Sequence, residues 1–146
     1  MCVIMNTEVK ILLADDDPED RMIMADTFRE LSLSHVIHFV ENGENTLAYL
    51  ETIRDNAGLP SLIILDLNMP RMNGTQTLKW LKANDRYRHI PVIIFSTSVN
   101  VIEMEECMKT GAASYIVKPV TYKECLDTAQ TFYDFSLKTR AADSVE

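Results

Sequence analysis

Short apolar runs and amphipathic stretches alternate along this chain. Five runs rich in Ile, Val and Leu, at 9–14, 36–40, 62–65, 92–95 and 114–117, read as strands. Four of them are almost continuously apolar, the mark of a strand covered on both faces of a parallel sheet. The run at 36–40 alternates more and fits a strand nearer an edge. Helical patterns fill the gaps. Pro18 suits a first helical turn, after which Met24, Phe28 and Leu31 recur at helical spacing. Leu47 and Leu50 mark a helix over 43–53, and Leu78 and Leu81 one over 74–83. A helix at 102–110 stops at Gly111. The last, at 121–137, starts at Thr121 with Glu124 completing a capping box. Tyr122, Leu126, Ala129 and Tyr133 give it a core-facing stripe, which Cys125, Phe132 and Phe135 widen. That excess is read either as local packing or as a surface for a second copy. Five strands alternating with five helices predict an α/β domain built on a doubly wound, five-stranded parallel sheet.

Composition narrows the functional classes. The chain has 146 residues, 47% apolar and 25% charged, which suits one domain with a core of its own. Residues 9–138 are read as that domain, with tails at 1–8 and 139–146. The 22 acids outnumber the 14 bases, for a net charge of −8, and no basic stripe is visible, so nucleic acid is not expected as a direct partner. Cys2, Cys107 and Cys125 match no metal or redox spacing and point to a reducing cytoplasm. No stretch reads as an export signal or a membrane span. His35, His38 and His89 lie apart from the acidic motifs and are read as structural.

The chemistry lies at the carboxyl ends of the apolar runs. One ends in Asp15-Asp16-Asp17, another in Asp66, a third in Ser96-Thr97 and a fourth in Lys118-Pro119. In a doubly wound sheet these tips share one edge, where ligands bind. Each residue alone has a plain structural explanation: acids favour helix N-termini, Ser and Thr cap helices, and a loop lysine is solvated. Together they can hold a divalent cation and let one carboxylate accept a phosphoryl group.

The segments ILLADDDPEDR, LIILDLNMPRMNG, PVIIFSTS and GAASYIVKP closely resemble the receiver domain of two-component response regulators. The resemblance spans nearly the whole chain and implies the strand order 2-1-3-4-5. It implies that Asp66 is the phosphoacceptor and that Asp15 and Asp16 hold Mg²⁺ with the backbone carbonyl of Asn68. It implies that Lys118 contacts the acceptor and then the phosphoryl group, and that Ser96 and Tyr115 are switch residues. Asn68 and Thr97 would influence hydrolysis of the acyl phosphate. Gly74 closes the loop after Asp66, and Pro119 stands where the family usually has a cis peptide. The face of the fourth helix, fifth strand and fifth helix would change shape on phosphorylation. A longer loop at 54–60 resembles stand-alone receivers, some of which partner phytochrome-type kinases. The expected role is therefore a phosphoacceptor that signals by binding, its phosphoryl group coming from a sensor histidine kinase and its downstream protein unspecified. An intermediate carrier in a multistep relay is the alternative. A phosphohydrolase using an aspartyl phosphate is disfavoured, because Asn68 stands where that chemistry wants a second Asp. A flavin carrier is disfavoured because Asp15–Asp17 would repel a phosphate. The sequence ends soon after the last predicted helix, so no output domain is expected.

Overall fold

The computed structural model describes residues 9–145; the expected tail at 1–8, with Cys2, lies outside them. Five parallel strands form one sheet in the order β2-β1-β3-β4-β5. They are β1 (Ile11–Ala14), β2 (Ile37–Val40), β3 (Leu62–Leu65), β4 (Val92–Ser96) and β5 (Ser114–Val117). Between and after them run α1 (Pro18–Glu30), α2 (Gly43–Glu51), α3 (Gly74–Ala83), α4 (Val101–Thr110) and α5 (Tyr122–Val145).

Strand periodicity divides the core in two. Alternate residues point to opposite faces. Ile11, Leu13, Leu62, Ile64, Ile93 and Phe95 pack with Met24 and Phe28 of α1 and Ala129 and Phe132 of α5. Leu12, Ala14, Ile63, Leu65, Val92 and Ile94 pack with Leu50, Leu78 and Cys107 of α2, α3 and α4. Strands β1, β3 and β4 are buried along their whole length, whereas edge strands β2 and β5 are half-exposed. Each fully buried Leu or Ile contributes roughly 1.5–3 kcal/mol, so the three inner strands form the rigid part of the molecule.

The helix signals act as expected at most ends. Asp17 caps α1, its side chain accepting from the Glu19 N–H, with Pro18 in the first turn. Thr121 and Glu124 exchange the hydrogen bonds of a capping box. Gly111 ends α4 at φ 122°, a conformation that strains any residue with a Cβ.

Three expectations need correction. The buried stripe of α5 is Cys125, Ala129, Phe132 and Ser136, while Tyr122 is exposed. Phe132 meets Phe95 edge to face, with ring centroids 5.2 Å apart. Cys125 and Phe132, which the sequence set outside that stripe, are therefore buried within the chain, and Phe132 packs on the sheet. The helix also runs on to Val145, beyond the expected end at 137. Finally, no cis peptide occurs among the described residues, so the bond before Pro119 is trans, the general preference of X–Pro bonds.

The longer loop at 54–60 is tied down by Arg86, three residues past the end of α3. Arg86 donates to Asn56 Oδ1 (2.9 Å) and to the carbonyls of Ile53 and Arg54. No described helix is long and apolar enough to cross a membrane.

Candidate functional site

Sheet register brings the acidic tips together. Ala14 pairs with Leu65, so Asp15 and Asp66 are the next residues on adjacent strands. The Asp66 N–H still donates to the Ala14 carbonyl (3.0 Å), and the Asp15 N–H to that of Val40 (3.1 Å). Both carboxylates are thus fixed by backbone bonds at the sheet edge, and both are buried. Exposed Asp16 completes the group: one carboxylate oxygen from each of Asp15, Asp16 and Asp66 lies within 4.8 Å of the others. Hard oxygen donors at this spacing suit Mg²⁺ or a similar cation, which takes about six oxygens at ~2.1 Å and keeps several waters.

Beside them stands Lys118, placed by the pairing of Ser96 with Val117 and by its own N–H to the Ser96 carbonyl (2.8 Å). Its ammonium lies 2.7 Å from Asp15 Oδ2, 2.8 Å from Asp20 Oδ2 and 3.4 Å from Asp66 Oδ2. Burial opposes its charge, but hydrogen bonds to Asp15 and Asp20, with the charges of Asp15 and Asp66, raise its pKa. For Asp66, burial dominates. Lys118 pulls the other way and Asp15 adds to burial, so its carboxyl is pushed up to about 6.

The remaining predicted residues sit around this pair. The N–H of exposed Asn68 donates to Asp66 Oδ1 at 3.4 Å. Gly74 lets the loop after Asp66 close tightly, since a Cβ there would lie 2.4 Å from the Asp66 carbonyl oxygen and 2.8 Å from Leu67 Cα. Ser96 is fully buried, and its hydroxyl accepts from the Ser98 N–H at 3.1 Å. Thr97 is exposed. Half-buried Tyr115 does not reach the carboxylates; its hydroxyl donates to the Ser98 carbonyl at 3.0 Å. Ser98 therefore links the two expected switch residues, one through its N–H and one through its carbonyl.

Asp20 is the site residue that the sequence reading missed. The signal was its position: a further acid in the first turn of the helix that follows the Asp run. His38 stacks on Tyr49, with centroids 4.1 Å apart, in keeping with a structural role.

Known proteins resemble this chain in sequence and fold. The family model for the response regulator receiver domain matches residues 11–130. The chemotaxis protein CheY1 of Helicobacter pylori is 33% identical over 113 residues, covering 77% of this chain and 87% of that protein. The structure of the phosphorylated cyanobacterial phytochrome response regulator RcpA superposes with a TM-score of 0.79 at 28% identity, covering 90% of this chain and 96% of the other. That of the Mn²⁺-bound form of response regulator Rcp1 gives 0.75 at 26% identity, covering 90% and 96%.

Proposed function

This chain belongs to the response regulator receiver domain family, and from that premise we propose that it is a Mg²⁺-dependent phosphoacceptor whose acceptor is Asp66. The observation that carries the reading is the cluster itself: three carboxylates within 4.8 Å, with the Lys118 ammonium 3.4 Å from Asp66. Asp15, Asp16 and Asp66, with the Asn68 backbone carbonyl, would hold the metal, which when bound offsets repulsion between an anionic nucleophile and an anionic phosphoryl group.

The chain's own groups supply the rest. An Asp66 carboxylate oxygen bonds to the donor's phosphorus as the phosphorus–leaving group bond breaks. The leaving group departs with the electron pair, and an acyl phosphate remains. Lys118 offers a point charge to the transferred phosphoryl oxygens. Phosphorylation adds roughly 1.5–2 negative charges and new acceptor oxygens, to which the Ser96 hydroxyl can donate. Ser96 then gives up its present geometry with Ser98, and the Ser98 carbonyl is the group that holds Tyr115. The α4-β5-α5 face responds, and it already presents apolar surface in Val101, Ile102, Val117 and Val120.

The phosphoryl source in this reading is a sensor histidine kinase. The likeness to a phytochrome response regulator favours a phytochrome-type one. Downstream, the phosphorylated chain acts in the cytoplasm by binding a partner protein.

Incubation with acetyl phosphate and Mg²⁺, followed by intact mass, tests the reading. The expected result is a labile gain of one phosphoryl group, absent in Asp66→Ala and absent with chelator. An unchanged mass in the wild type overturns it.

A further inference from the structure

Asp20 has no part in the metal cluster, yet it holds the same lysine as the acceptor. Three facts single it out. First, Asp20 is at the third position of α1, where an acid commonly reaches back to the N-cap N–H to complete a capping box. Here that N–H, from Asp17, is already taken by Asp15 Oδ1 at 3.0 Å, and the cap itself is the Asp17 side chain. Asp20 is therefore released from helix capping. Second, its carboxylate accepts from Lys118 Nζ at 2.8 Å. An ammonium has three N–H donors; two are close to Asp15 and Asp20, and Asp66 is left the longest contact, at 3.4 Å. Third, Lys118 is only 10% exposed on its side chain, while Asp20 is 35% exposed. The lysine is confined, and the outer carboxylate has room to let it go.

We infer that Asp20 is a positioning residue that latches Lys118 away from the phosphoryl-accepting oxygen of Asp66 and so limits the rate of phosphorylation. The inference rests on the proposed phosphoacceptor role and adds a regulator to it. In the resting state Asp20 shares the lysine's charge. During transfer, as the Asp66 oxygen bonds to phosphorus and the leaving group departs with its electron pair, Lys118 must turn from Asp20 to the incoming phosphoryl oxygens. The carboxylate of Asp20 opposes that turn by attraction to Lys118, and it also repels the anionic donor. Asn at this position keeps the shape and removes the charge.

The test is the initial rate of phosphoryl gain from acetyl phosphate with saturating Mg²⁺, read by intact mass. Asp20→Asn is expected to react about three- to tenfold faster than wild type, the scale of one partly exposed charge pair. Asp20→Glu, which keeps the carboxylate, returns the rate toward wild type. A fold damaged at α1 would slow the reaction, so a gain in rate separates latching from a structural role. An unchanged or slower rate in Asp20→Asn overturns the latch. Mg²⁺ affinity is measured alongside: Asp20→Asn should stay within about twofold of wild type while Asp16→Asn loses binding, and an equal loss in both makes Asp20 a metal ligand and overturns the latch. If the wild type gains no phosphoryl group, the phosphoacceptor role fails, and the latch is then read from Lys118 alone. Peptide mapping after brief acetic anhydride treatment should show faster Lys118 labelling in Asp20→Asn than in wild type; equal labelling overturns it.

Discussion

Helices α3 and α4 flank the same face of the sheet, yet they are built differently. Helix α3 buries Gly74, Thr77, Leu78 and Leu81, whereas α4 buries Cys107 alone. The difference continues into the strands beside them: β3 is buried throughout, and β5 is half-exposed. The acidic tips of β1 and β3 therefore stand on the well-packed half. Ser96, Ser98 and Tyr115 connect to the lightly packed half. A site that must hold charge in fixed geometry and pass on a change needs both: close packing where the carboxylates sit, and few buried contacts where the chain has to move.

Truncation should expose this contrast most strongly. Leu78→Ala removes a fully buried side chain from α3 and is expected to cost about 3 kcal/mol in denaturant unfolding. Ile102→Ala, on an α4 position that is 75% exposed, should cost less than about 0.5 kcal/mol. Comparable losses at the two positions would erase the distinction between the halves.

The next largest effect is expected from the metal. A ligand that binds only the folded state adds about 2.7 kcal/mol at one hundred times its Kd. Mg²⁺ at that level should raise the Tm of wild type by roughly 5–10 °C. The shift should vanish in Asp16→Asn and persist in Ile102→Ala, since the proposed cation site lies on the packed half. A shift that survives Asp16→Asn would place the cation elsewhere.

Protons probe the same cluster without metal. The Asp66 carboxyl is raised from an ordinary 3.8 to about 6, so the folded protein holds this proton more tightly than the unfolded chain. Its contribution to stability is complete at low pH, falls as pH rises from about 4 to about 6, and stays lost above that. Asp66→Asn abolishes the loss. With chelator present, the variant should be more stable than wild type by roughly 2–3 kcal/mol at pH 7, a gap that closes near pH 4. Urea unfolding at the two pH values measures it; a gap of equal size at both would remove Asp66 titration as its cause.

The two halves were also unequally legible in the sequence. Continuous apolar runs dictate buried parallel strands, and a strand that ends in Asp puts that carboxylate at the sheet edge whatever else happens. Asp15, Asp66 and Lys118 were therefore visible from local pattern alone. Asp20 was not, because its position follows from two competitions: Asp15 takes the Asp17 N–H, and a lysine 98 residues away supplies the partner. The facing of α5 was missed for another reason. Tyr122, Cys125, Leu126, Phe132, Tyr133 and Phe135 spread apolar character around the helix, so spacing leaves its phase open, and contact with Phe95 decides it. The clasp of Arg86 on the loop at 54–60 is likewise a tertiary choice, made by carbonyls that any sequence would carry.

The smallest expected effect lies on the lightly packed side and bears most directly on whether the halves are coupled. No hydrogen bond joins Tyr115 to Ser96, but both bind Ser98, at 3.0 Å through its carbonyl and 3.1 Å through its N–H. Tyr115→Phe deletes one hydroxyl from a half-buried ring. The net worth of such a bond is about 1 kcal/mol, and part of that returns because the freed Ser98 carbonyl can meet water at the edge of α4. Global stability should therefore drop by about 0.5–1 kcal/mol. The informative change is local. Amide exchange at Ser98 and the residues leading into α4 should quicken several-fold, while the β1 and β3 amides keep their protection, because those strands are fixed by packing that Tyr115 does not share. Faster exchange in β1 and β3 as well would mean that the sheet answers as one body, and that the contrast between α3 and α4 has no bearing on how the proposed signal leaves Asp66.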